Sequence, residues 1–238
     1  MQVLALIPAR GGSKGIPRKN LVDVGGAPLL VHSVRHALAA QTVTRVVVST
    51  EDEEIARVAA EAGAEVPFLR PPELALDHVL DLPVFRHAIE TLERCERYRP
   101  DLVVHLRPTC PARRPEWIDR CVELLRERPD AHSVRSVSPP AAHPYRVFRI
   151  GEDGLLDAVM KHEHPEPWIL RRQDHPPMWH YNCVIDVTRT TTLLELESMT
   201  GSRILPFEMR ADEVVDVDEP RDLELARWLF ETGRAAGV

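Results

Sequence analysis

The chain lacks any apolar run near the ~20 residues of a membrane-crossing helix; stretches such as Val46–Val48 and Leu102–Val104 fall far short. No apolar targeting segment follows Met1, so a cytoplasmic protein without a membrane partner is expected. Cysteine is scarce. Cys95, Cys110, Cys121 and Cys183 show no CxxC spacing, which argues against a metal cluster or a disulfide framework and for buried free thiols. Net positive charge is also missing: a formal charge of −7 leaves no broad basic face, and no nucleic-acid partner is expected. Lysine is nearly absent. Of 30 Lys and Arg residues only Lys14, Lys19 and Lys161 are lysines, and two of these lie in the first twenty residues. A chain that uses Arg almost everywhere has kept Lys where a compact ammonium differs physically from a planar fork.

What is present is an ordinary globular composition. With 238 residues, 44% hydrophobic and 28% charged, the chain fits one main domain and suggests neither disorder nor a fibrous repeat. The periodicity alternates. Val3–Ile7 reads as a buried strand, Pro28–Ala40 as an amphipathic helix, Thr44–Ser49 as a strand, Glu53–Ala62 as a helix ending at Gly63, and Glu65–Leu69 as a third strand. A helix at Pro83–Arg97, a strand at Asp101–Leu106, a helix at Pro115–Glu127 and a strand at His132–Ser136 continue the pattern. Such α/β alternation implies a doubly wound, mainly parallel sheet, with ligands bound outside the carboxyl ends of its strands.

From Ser138 to His180 the texture changes: prolines cluster, five of the eleven histidines appear and helical periodicity disappears. Tyr145, Phe148, Trp168 and Trp179 are too apolar for a solvated linker. Residues 138–181 are therefore read as a β-rich arm inserted in a single 1–238 domain and used in homodimerisation. His162 and His164 lack further ligands at metal-site spacing and read as surface residues. Strands at Asn182–Asp186 and near Arg203–Pro206, and a helix at Pro220–Glu231, complete the chain.

The chemistry is concentrated in Leu4–Asn20, "LALIPARGGSKGIPRKN", a strand running into a glycine-bearing loop with cations at both ends. Such turns let backbone N–H groups approach phosphate oxygens. The loop is neither GxxxxGK[ST] nor GxGxxG, which speaks against a phosphate-loop ATPase and a dinucleotide-dependent dehydrogenase. Arg10, Lys14, Arg18 and Lys19 repel one another unless an anion sits among them, and a triphosphate with its metal is the natural guest. Near the other end, "EVVDVDEP" sets Asp216 and Asp218 on alternate positions, so an extended segment turns both carboxylates to one face, which suits Mg2+. Asp218 also precedes Pro220 as a helix cap would.

The run IPARGGSKGIPRKN closely resembles the signature of the acylneuraminate cytidylyltransferases, the CMP-sialic acid synthetase family, along nearly the whole chain. The resemblance implies a Rossmann-like fold of the nucleotide-diphospho-sugar transferase type. It also implies that Arg10 and Lys19 bind phosphates as the catalytic cations, and that Asn20 helps to hold the nucleotide, with Ala9, Gly11, Gly12, Ser13 and Lys14 lining the same loop. The "LRPPELA" block from Leu69 to Ala75 looks like the family's RPxELA, which places Arg70 on the nucleotide. Asp81 stands where sialic acid enzymes carry a serine near it. The segment around Asp216 and Asp218 resembles the family's DIDxxxD, with Mg2+ as the implied cofactor.

On the acceptor side, "VVHLRPTCP" resembles the LQPTSP turn with Arg107 in place of glutamine. "RRQDHP" resembles the RQxLP block and places Arg172 against the acceptor's carboxylate. Arg146 stands where a lysine is frequent, Asn182 matches the asparagine that follows the block, Cys183 replaces a glycine and Asp186 an aromatic. The implied reaction is attack by an oxygen nucleophile of a small acidic acceptor on the α-phosphorus of CTP, releasing pyrophosphate, with no dedicated general base. A nonulosonic sugar acid is the expected acceptor. A phosphonate such as phosphonoformate, or a non-catalytic nucleotide-binding module, are the alternatives.

Overall fold

The structure, a computed structural model, describes residues 1–235. Its chain order is β1 (Val3–Pro8), β2 (Asp23–Val24), β3 (Ala27–Pro28), α1 (Leu29–Ala39), β4 (Arg45–Ser49), α2 (Glu53–Glu61), α3 (Asp81–Glu96), β5 (Leu102–His105) and α4 (Pro115–Glu127). Then follow β6 (Ser133–Ser138), β7 (Phe148–Ile150), β8 (Leu156–Ala158), β9 (His180–Arg189), α5 (Thr190–Leu194), β10 (Ile204–Glu208) and α6 (Pro220–Glu231). Six strands make one sheet in the order β10-β6-β9-β5-β1-β4. Only β9 runs antiparallel to its neighbours; the other pairings are parallel.

The continuous apolar character of β1 follows from cover on both faces. Val3, Ala5 and Ile7 pack in the cluster that holds Leu30 and Val34 of α1, while Leu4 and Leu6 pack with Val84, Phe85, Ile89 and Leu92 of α3. Successive residues of a strand point to opposite faces, so one five-residue run feeds both layers. A smaller cluster joins Val24 and Leu29 to Val215, Val217 and Ala226, and docks the C-terminal segment beside the N-terminal loop.

Several elements differ from the sequence reading. Glu65–Leu69 is not a strand: one bridge, Val47 to Glu65, is all it makes, because Pro67 interrupts the ladder two residues on. The arm carries the two-stranded β7–β8 hairpin, but is otherwise irregular backbone punctuated by short 3-10 turns at Pro144–Arg146, Pro167–Ile169 and Arg172–Asp174. Cys110 and Cys121 are buried as expected, whereas Cys95 is exposed at the end of α3 and Cys183 is half-buried. No helix among the described residues is long and apolar enough to cross a membrane.

The antiparallel entry of β9 positions the site. The parallel strands β1 and β5 deliver their carboxyl ends to one rim of the sheet, and β9 delivers its amino end, Tyr181 to Cys183, to the same rim. The β9 register against β6 also shifts: Arg135 pairs with Asp186 and Val137 with Tyr181, so five steps on β9 answer two on β6. Cys183, at φ +63°, lies within this bulge. Asn182 holds it, its Oδ1 accepting from the Ser136 hydroxyl at 2.6 Å and from the Val184 N–H at 3.2 Å.

Candidate active site

A cleft of about 530 Å³ opens at this rim, between the loop after β1, the segment before α3, the turn after β5 and the stretch before α6. Arg10, Ser13, Lys14, Lys19, Asn20, Arg70, Asp81, Arg107, Asp216 and Asp218 all line it. Residues from the first twenty positions thus face residues from beyond position 215. Gly15 makes the approach possible: a Cβ there would stand 2.6 Å from the Asp218 carbonyl oxygen.

The loop is stitched from within. The Asn20 amide donates to the Arg10 carbonyl at 2.8 Å, the Gly11 N–H donates to Glu51 Oε1 at 2.7 Å, and the buried Ala9 N–H donates to the Ser49 carbonyl at 3.0 Å. Gly12 is exposed. The four cations do not face each other unrelieved. Arg10 and Lys14 both reach Asp77 at 2.7 Å. Arg18 turns out to Asp52 and Glu54 at the start of α2, and Lys19 meets Asp218 at 2.8 Å. Lys14, and after it Arg10, hold the Asp77 carboxyl below the usual range. Arg70, 4% exposed, is clamped by Glu51 at 2.8 Å.

Asp216 and Asp218 do converge on the cleft. Burial, with the charge of Asp218 adding to it, raises the Asp216 carboxyl above its ordinary value; a bond from Thr109 works against the rise. Two neighbouring hard-oxygen carboxylates fit a divalent cation, and the exposed Asp218 is free to leave Lys19 for it. The Thr109 carbonyl accepts from the Val217 N–H at 2.8 Å, and the Cys110 thiol, pushed up to about 12 by burial and then by Asp216, points to Asp216 Oδ1 at 3.7 Å.

The residues expected on the acceptor side divide. Arg107 lines the cleft. Asp186 lies fully buried beneath it, and the 4%-exposed Asn182 is engaged inside the β9 bulge. Arg146 and Arg172 line a different cavity of about 360 Å³ in the arm, together with His143, His175 and Trp179. His162 is half-buried and His164 exposed, and no group of three or more metal-ligating side chains forms among the described residues.

Sequence reasoning missed several residues. Asp77, His105 and Thr109 line the cleft. The fully buried Arg113 donates to the carbonyls of Val184 (2.8 Å) and Arg107 (3.0 Å), and thereby fixes the turn after β5. The one available signal for Arg113 was its place behind the "RPTCP" turn, where a surface reading of Arg is the ordinary one.

A family model described as cytidylyltransferase matches residues 4–149. Over the full length of both chains, this protein is 32% identical to a CMP-N,N'-diacetyllegionaminic acid synthase of Legionella pneumophila. It is 30% identical to a pseudaminic acid cytidylyltransferase of Campylobacter jejuni over 97% of each chain. A solved CMP:2-keto-3-deoxy-manno-octonic acid synthetase complexed with CTP superposes with a TM-score of 0.72 at 21% identity, covering 98% of this chain and 100% of that one. That likeness shows the fold, an α/β Rossmann-like arrangement.

Proposed function

This chain belongs to the cytidylyltransferase family, and from that premise we propose that it transfers CMP from CTP to a nonulosonic sugar acid, with release of pyrophosphate. One observation carries the reading. Arg10, Lys19, Asn20 and Arg70 meet Asp216 and Asp218 in a single cleft at the carboxyl ends of the strands, although the loop of the first twenty residues and the two aspartates lie near opposite ends of the chain.

In this reading the glycine-bearing loop receives the triphosphate, and Arg10, Lys14 and Lys19 exchange their acidic partners for its oxygens. Negative charge grows around the α-phosphorus as the acceptor oxygen attacks, and cations already in place stabilise it without reorganising. Asn20, bonded to the Arg10 carbonyl, keeps the two ends of the loop at a fixed distance. Asp216 and Asp218 would hold Mg2+, which when bound neutralises phosphate charge and assists deprotonation of the acceptor hydroxyl. Arg107 orients the acceptor within the same cleft as the glycine-bearing loop, so that attack becomes in effect unimolecular.

Exposed Ile150, Leu155, Leu156, Ile169 and Trp179 on the arm support a homodimer, and the use of CTP fits a cytoplasmic protein. The relatives' names speak for a sugar acid, and nothing in the cleft favours a phosphonate or a non-catalytic module. Pyrophosphate release with CTP, Mg2+ and pseudaminic, legionaminic, N-acetylneuraminic and phosphonoformic acids tests the proposal. Turnover is expected with a nonulosonic acid. Tight CTP binding without turnover on any acid would point to a binding module, and turnover on phosphonoformate alone to the phosphonate reading.

A further inference from the structure

Beneath the cleft floor lies an ionic cluster that the phosphate chemistry leaves unused. Asp186 is fully buried, and its Oδ2 accepts from Arg107 Nη1 at 2.8 Å, from Arg135 Nη1 at 2.7 Å and from the Tyr181 hydroxyl. In a regular strand, residues five apart point to opposite faces. The bulge between Tyr181 and Asp186 changes that parity, which is how both reach one point. Arg135 faces Asp186 across β6 and β9, and His105 faces it across β5 and β9. His105 adds no charge, since burial, and then the neighbouring arginines, keep it neutral.

The charge of this cluster does not balance underground. Two arginines share one buried carboxylate, and the surplus is met by Asp81, whose Oδ2 lies 3.2 Å from Arg107 Nη2 and whose side chain is 44% exposed. Arg107 is therefore fixed by one nitrogen on a buried anion, while its other nitrogen holds an exposed, exchangeable one. A guanidinium mounted in this way has lost most of its rotamer freedom before a ligand arrives, and it presents a planar donor edge to a carboxylate.

We propose that Arg107 anchors the carboxylate of the acceptor, that Asp186 is its positioning residue, and that Asp81 is the counter-ion which the acceptor displaces. This rests on the proposed CMP transfer to a sugar acid and deepens it. It also changes the role expected for Asp186, which is too deeply buried to touch the acceptor itself. The replacement of the family's glutamine and aromatic by Arg107 and Asp186 becomes a single change, because the carboxylate exists to hold the guanidinium.

The test compares nonulosonic acids with their methyl esters, whose carboxyl is neutral. The wild-type protein should prefer acid to ester by roughly 10- to 100-fold, the range of one charge-assisted bond. Arg107→Gln should raise the acceptor KM by a similar factor and abolish that preference, with the CTP KM changed by less than about twofold. Arg107→Lys, charged but without the fork, should fall between. Asp186→Asn should move the acceptor KM in the same direction, and the Arg107→Gln/Asp186→Asn pair should be no worse than Arg107→Gln alone. Asp81→Asn, which removes the competitor, should lower the acceptor KM by about twofold.

Undiminished preference for acid in Arg107→Gln, or an equal rise in both KM values, would overturn the anchor. An Asp186→Asn variant altered only in thermal midpoint would overturn the positioning role, and a raised acceptor KM in Asp81→Asn would overturn the displacement. Should wild-type protein bind CTP and yet release no pyrophosphate with any acid, the transfer reading fails separately. Calorimetric titration of acid and ester into the CTP-loaded wild type and Arg107→Gln then still reads the anchor, and equal affinities in the wild type would sink it.

Discussion

Arg10, Lys14 and Lys19 meet their acidic partners near the surface, where the Asp77 and Asp218 side chains are 47% and 68% exposed, whereas Arg107 and Arg135 meet Asp186 where no solvent reaches it. The first arrangement is weak and exchangeable, because exposed pairs contribute little and lose side-chain entropy. The second is rigid, since removal of one member strands a buried charge. A polyphosphate brings charge enough to displace surface acids from several cations at once. A small acid brings one carboxylate, and one carboxylate is bound well only by a donor that is already in position. In the proposed transfer the guests of the two halves differ in charge in this way, which matches the different means by which the halves hold positive charge.

The largest effect should come from Lys19→Ala. Loss of a cation acting on phosphate is expected to reduce kcat/KM by about 10²–10³-fold, with the thermal midpoint nearly unchanged, as pyrophosphate release and calorimetry would read. If stability fell in parallel, the loop would not be the exchangeable half. On the rigid side, Asp186→Ala should reduce unfolding free energy by about 3 kcal/mol in urea titrations. A loss below about 1 kcal/mol would erase the contrast between the halves.

Asp216→Asn should raise the Mg2+ concentration needed for half-maximal activity by roughly tenfold. Because burial and Asp218 raise the Asp216 carboxyl, it protonates at higher pH than an ordinary aspartate. The wild-type Mg2+ requirement should therefore rise as pH falls through that raised value, and the asparagine variant should lose this dependence. Cys183→Gly, at φ +63°, should gain about 0.5–1 kcal/mol of stability, as relief of the left-handed strain exceeds the added chain entropy. The smallest effect is expected of Asp77→Asn, which releases Arg10 and Lys14 and should lower the CTP KM by about twofold at low salt and less at high salt.

Legibility in the sequence follows the same division. The strand and loop of residues 3–20 could be read because apolar run, glycines and cations are contiguous, and Pro115–Glu127 could be read because Pro opens an amphipathic helix there. Asp216 and Asp218 were legible as an alternating pair. Glu65–Leu69 misled because Val66, Phe68 and Leu69 favour a strand locally, while Pro67 between them removes a ladder donor and leaves one bridge, Val47 to Glu65. Asp77 was invisible as a partner because nothing near it in sequence says which cations it will meet. Arg113 and Arg135 were invisible because burial of arginine depends on distant carbonyls and carboxylates.

Local order alone determined the α/β alternation and the glycine-bearing, cation-rich loop, since strand periodicity, glycine freedom and clustered charge act over a few residues. Only the folded chain decided that Arg107 and Asp186, 79 residues apart, would form one unit. That contact needs β9 to run antiparallel beside β5, and its link to Tyr181 needs a bulge that changes which face each residue occupies. Register and parity are properties of paired strands, and neither strand carries them by itself.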